Sequence, residues 1–180
     1  DNAFLLSYAR QIGPDNLTIG GNVKIVYRNV GDFANAIGFG LDLSGQYHKD
    51  NLKLGVVLRD ITGTWNAWSF NNEELEEVFI ATGNEVPTNS IEITAPRAIL
   101  AVGYECKINE KFGVYPELDL AVTFDGKRNV LLSTNPISID PKIGFEANYR
   151  EIIFLRGGLG NFQKETEIGG ETKWSMQPNM

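Results

Sequence analysis

IGFGLDLSGQYHKDNLKLGVVLR, residues Ile37 to Arg59, is the stretch that decides the fold. Up to His48 the odd positions are Ile37, Phe39, Leu41, Leu43, Gly45 and Tyr47. The even ones are Gly38, Gly40, Asp42, Ser44, Gln46 and His48. After Lys49-Asp50-Asn51 the alternation resumes, with Leu52, Leu54, Val56 and Leu58 on one side and Lys53, Gly55, Val57 and Arg59 on the other. Successive side chains of a strand point to opposite faces, so each half is a strand with one apolar and one polar face. The short polar link makes the two an antiparallel hairpin. Either a second protein layer or lipid must cover the apolar face.

The same pattern recurs on both sides of this hairpin. Ala3 to Ile12 and Leu17 to Asn29 read as strands joined by the turn Gly13-Pro14-Asp15-Asn16. Arg97 to Ile108, Phe112 to Asp125, Ile137 to Arg150, Ile152 to Phe162 and Thr172 to Met180 complete nine strands. Pro116 has no donor for a ladder, so a bulge is expected there. Between about 62 and 95 lies a long insertion, whose centre, Ser69 to Phe79, reads as a short helix with Leu75, Val78 and Phe79 on one side.

Bulk properties bound the rest. The 180 residues make one domain, 1–180. Mean hydropathy is -0.18, and no run of about 18 apolar residues forms a membrane helix. A transmembrane barrel escapes that test, because only every second residue meets lipid. A net charge of -7 disfavours nucleic acid as a partner. The single cysteine, Cys106, falls on an apolar strand face and reads as a small buried hydrophobe. No signal peptide opens the sequence. It starts and stops within strand patterns, so a slice of a longer protein is expected.

Three features favour lipid over a soluble sandwich or lipocalin-like barrel, whose strands also alternate. The connections near 13–16, 49–51, 109–111 and 150–151 are tight, whereas those near 30–36, 62–95, 126–136 and 163–171 are longer. In a meander these two sets fall at opposite ends, the asymmetry of outer-membrane barrels. Several alternating runs exceed the roughly 5–6 residues of soluble strands and meet the roughly 9–11 needed to cross hydrocarbon at a tilt. Tyr47, Tyr104, Phe112 and Tyr149 sit on apolar faces near the tight turns. Tyr27, Phe124 and Trp174 do so near the loops, as aromatic girdles do.

YRNVGDFANAIGFGLDL (27–43), LGVVLRDITGTWNAW (54–68), PELDLAVTFDGKRN (116–129) and FLRGGLGNF (154–162) resemble the PorV/PorQ family of bacterial outer-membrane proteins. That family belongs to the wider group of barrels similar to the FadL fatty-acid transporters. The resemblance implies an all-β antiparallel transmembrane barrel of 14 strands, of which this chain holds about nine. It also implies a non-enzymatic role in type IX protein secretion and surface attachment, with no cofactor. The implied partners are outer-membrane lipid and either the secretion translocon or cargo bearing a C-terminal signal domain. The alternative it carries is FadL-like transport of hydrophobic small molecules across the bacterial outer membrane.

The residues themselves give poor enzymatic signals, so no catalytic residue is assigned. His48, the only histidine, is four strand residues from Ser44, about 13 Å away, far beyond the roughly 3 Å of a nucleophile–base pair. Arg156-Gly-Gly-Leu-Gly160 lacks the lysine and helix of a phosphate loop. Glu73, Glu74, Glu76 and Glu77 read as a solvated helix face, and no metal site is assigned. Glu117 and Asp119 read less as an acid/base pair than as interior charges. The interior set is Asp42, Lys53, Arg59, Arg97, Glu105, Glu117, Asp119, Lys142 and Glu146, with acids facing bases. The 62–95 insertion, read as an extracellular loop, is the candidate partner-binding element through Trp65, Trp68, Phe70, Leu75 and Phe79.

Overall fold

A computed structural model describes residues 1–13, 16–71, 79–82, 90–166 and 172–179. The strands are β1 (Asn2–Ile12), β2 (Leu17–Val30), β3 (Ala34–Lys49), β4 (Leu52–Arg59), β5 (Thr64–Phe70), β6 (Ser90–Thr94) and β7 (Arg97–Tyr104). β8 (Cys106–Lys107), β9 (Phe112–Thr123), β10 (Leu132–Ser133), β11 (Ser138–Tyr149), β12 (Ile153–Thr166) and β13 (Thr172–Asn179) follow. They form one antiparallel sheet whose spine runs β1-β2-β3-β4-β7-β9-β11-β12-β13. These nine spine strands are the nine read from the alternation. The sheet is open: among the described residues β1 and β13 each have a neighbour on one side alone.

Register follows the hydrophobic pattern. Leu43 faces Leu58 and Tyr47 faces Leu54 across the β3–β4 hairpin, so like faces meet like. The tight connections lie side by side at one end and are tied by backbone bonds. The His48 N–H donates to the Asn16 carbonyl at 2.8 Å, Glu105 N–H to that of Asn51 at 2.8 Å, and Arg150 N–H to that of Lys111 at 2.6 Å.

The sheet exposes much of its apolar face, and its buried side chains lie mostly on the polar one. Ile37 and Phe145 are 61% and 49% exposed, whereas Asp42 and Ser138 keep 8% and 1%. Among the described residues, Ala34 and Ala36 are the only buried apolar side chains. A soluble sandwich needs an apolar core, and among the described residues this sheet has none.

Several details depart from expectation. The 62–95 insertion is not a plain loop: β5 and β6 form a hairpin that prolongs β4 and β7 and packs β5 on the first half of β3. The alternation fails to announce β5 because both of its faces carry aromatics. Ser69 and Phe70 therefore belong to a strand; helix is found at 79–82, and the rest of that helical reading lies outside the described residues. Pro116 produces no bulge: β9 runs unbroken through it, and the interruption falls on the facing strand at Glu105, between β7 and β8. Cys106 is exposed rather than buried, because its apolar face is the outward one.

Candidate functional site

The most irregular part of the sheet is where β4 leaves β3 and β5 replaces it. Asp60 takes a φ of 55° and Gly63 one of 68°, closing a turn in which the Gly63 N–H donates to the Asp60 carbonyl at 2.7 Å. Lys24 from β2 reaches into this turn, 2.9 Å from the Asp42 carboxylate and 2.5 Å from that of Asp60. The Asp60 N–H donates to Asp42 at 2.9 Å, and the Thr64 hydroxyl donates to Asp60. Asn66, 2% exposed, lies over Gly38. Buried carboxylates require such pairing. Lys24 faces Gly40 on the polar side of β2. The alternation did not point to Asp60, because a turn has no period to betray it, nor to Thr64 and Asn66, because they belong to β5, which it missed.

Beyond this turn the β5–β6 hairpin separates the expected contact residues. Register puts Trp65 on the apolar side beside Ile37 and Phe39, half-exposed, and Trp68 and Phe70 on the polar side opposite Ala36 and Ala34. Trp68 and Phe70 stack at 6.3 Å. With Val30, Phe33 and Phe79 they line a cavity of about 510 Å³. Leu75 lies outside the described residues. At the rim the Trp68 indole N–H donates to Glu92 at 2.9 Å, and Arg28 approaches the same carboxylate at 3.5 Å. The sequence named three of these aromatics but gave no sign of Phe33 or of the Glu92 partner, which is 24 residues from Trp68.

The register places all nine expected interior charges on the polar face, in rows across the strands. Arg59 faces Arg97, which faces Thr123; Asp119 faces Lys142; Glu146 faces Tyr115 and Arg156. Pairing is selective. Glu146 binds Arg156 at 2.5 Å, and Glu105 lies 3.9 Å from Lys53, which sits over the Tyr115 ring at 4.8 Å. Glu117 and Asp119 make no ion pair among the described residues, although Lys142 is opposite Asp119. Bases were expected to meet them; facing register brings Arg156 onto Glu146 but does not bring Lys142 onto Asp119. A cavity of about 420 Å³ lies against Tyr115, Glu117, Asp119, Lys142, Glu146 and Arg156.

In the connection after β9, Arg128 clasps Asp125 through Nε at 2.8 Å and through a second nitrogen. That hydrogen bond holds the Asp125 carboxyl below the usual carboxylate range, against the opposing effect of desolvation, and raises Arg128 in turn. The His48 Nε2–H donates to the Asp50 carbonyl, 2.8 Å away, within its own turn. Among the described residues no three of His, Cys, Asp and Glu converge as metal ligands. Comparison with protein-family models, curated proteins and solved structures finds no match.

Proposed function

We propose that this chain is wall of a bacterial outer-membrane β-barrel without enzymatic activity, and that it works in protein secretion and surface attachment by docking a partner at its loop end. The observation that carries the membrane reading is the exposed apolar face, with the buried side chains of the described residues mostly polar. Dimensions support it. Phe112 and Phe124 bracket the apolar face of β9, about 40 Å apart at strand rise. At the roughly 35–45° tilt of outer-membrane strands this spans about 30 Å. Phe112 and Tyr149 pack at 4.9 Å at the tight-turn end, where a girdle belongs.

The resemblance to PorV/PorQ proteins directs the docking reading to secreted cargo or the translocon, and the β5–β6 hairpin, paired on the first half of β3, is the element that continues β4 and β7 toward the loop end. The test replaces Trp68 and Phe70 with alanine and measures capture of a cargo C-terminal signal domain in mild detergent. Loss of capture supports the hairpin as the docking element; unchanged capture removes it.

A second reading is transport of hydrophobic small molecules, favoured by the aromatic cavity on the polar face. It predicts that oleate quenches Trp68 fluorescence saturably and that Trp68→Phe removes the signal. A flat titration rejects it.

A further inference from the structure

We propose that the free edge of β6 receives one extended peptide strand and that Arg97, at the foot of that edge, binds a carboxylate on the incoming peptide. The inference rests on the partner-docking reading and specifies how the partner is held.

The wall is split at its loop end. Below the split, β7 pairs with β9 from Gly103↔Glu117 to Arg97↔Thr123. Above it, β6 pairs with β5 alone among the described residues, so its other edge has no strand neighbour. An edge strand presents unpaired N–H and C=O groups, a template for another strand. Its outward side chains, Ile91 and Ile93, are exposed and continue the apolar surface of Ile37, Phe39 and Trp65. That places the edge at a level where acyl chains offer its backbone no hydrogen bonds. Another peptide backbone does.

The foot of the split is a cavity of about 150 Å³ between Thr94, Pro96 and Arg97 on one side and Thr123, Asp125 and Arg128 on the other. Arg97 stands directly across from Arg59, and like charges in that position are destabilising. Neither arginine makes an ion pair among the described residues. Asp125 is already engaged by Arg128, so Arg97 is the open cation of the cavity. In a chain of net charge -7, two facing arginines that make no ion pair among the described residues are suited to an external anion. A carboxylate suits a guanidinium geometrically. It arrives with a peptide either as a chain end or as an Asp or Glu side chain.

The experiment uses the whole chain in detergent and a short fluorescent peptide of alternating valine and threonine, read by anisotropy. Three forms are compared: free C-terminal acid, C-terminal amide, and amide with an internal glutamate. Two further forms of the acid carry backbone N-methyl groups on alternate residues, one on each edge. The expected result is saturable binding of the acid, with one N-methylated form at least about tenfold weaker and the other unaffected. The amide should be about tenfold weaker. Recovery with the glutamate form identifies a side-chain source; no recovery identifies the chain end. Arg97→Gln should bring acid and amide to equal affinity. Equal binding of the two N-methylated forms, or an acid preference that survives Arg97→Gln, overturns the proposal. Because these readouts use neither Trp68 nor Phe70, failure here leaves the aromatic docking test standing.

Discussion

At Gly40 the absence of a side chain is what lets two strands share a buried charge. A Cβ there would fall 2.2 Å from the Thr64 hydroxyl and 2.6 Å from the Lys24 side chain. Gly40→Val should expel Lys24 from between Asp42 and Asp60 and cost roughly 3 kcal/mol, the order seen when a buried pair loses one partner. Urea unfolding in detergent checks it, and an unshifted midpoint refutes it. Gly20→Val offers no comparable control, since Ser44, Tyr8 and Ala9 already crowd that site. Asp125 gives a titration test. Its carboxyl is held below the ordinary value of about 3.9 by Arg128. A depressed carboxylate stabilises at pH above its unfolded value, and the contribution fades as pH falls through the folded one. The clasp is therefore intact at neutral pH and released in acid. Arg128→Gln should raise the Asp125 midpoint in a carboxylate NMR titration; an unchanged midpoint would show that the clasp does not form in solution. The alternation displayed Gly38 and Gly40 as polar-face gaps but could not say what fills them, because the fillers come from two other strands, Asn66 and Thr64 from β5 and Lys24 from β2.

The long strand β3 was legible because its side-chain period and its burial agree. β3 keeps strict alternation from Ala34 to Asp42, and its buried and exposed positions follow it residue by residue. β5 and β6 were hidden for the opposite reason. Trp65 and Trp68 are an odd number of residues apart and face opposite ways, so a reader weighing hydrophobicity sees a cluster and not a strand. Turn chemistry was legible in place but not in cost. Between β11 and β12, Arg150 and Glu151 both take left-handed φ, 53° and 55°. A residue with a Cβ pays roughly 1 kcal/mol for that conformation, which glycine avoids. Glu151→Gly should raise stability by up to about 1 kcal/mol, seen as a higher urea midpoint at unchanged slope.

For the whole molecule, the sheet inverts the usual order of soluble proteins, with hydrocarbon displayed and its few buried side chains mostly polar. The prediction at this scale compares two neighbours in β7. Leu100 points to the apolar side, between Val56 and Leu120. Ala101 points to the other, opposite Asp119. Leu100→Arg should cost roughly 2–4 kcal/mol in lipid, the range for a cation at the bilayer midplane, while Ala101→Arg should cost little because Asp119 is there to meet it. Equal effects in refolding into vesicles would contradict a membrane position. The count of spine strands has its own result. Eight antiparallel steps separate β1 from β13, so the two outer margins ascend in the same sense. They cannot zip to each other in the alternating style of the remaining sheet; direct closure would demand one seam of the parallel kind. A ring that keeps the alternation throughout must recruit an odd number of extra crossings from elsewhere.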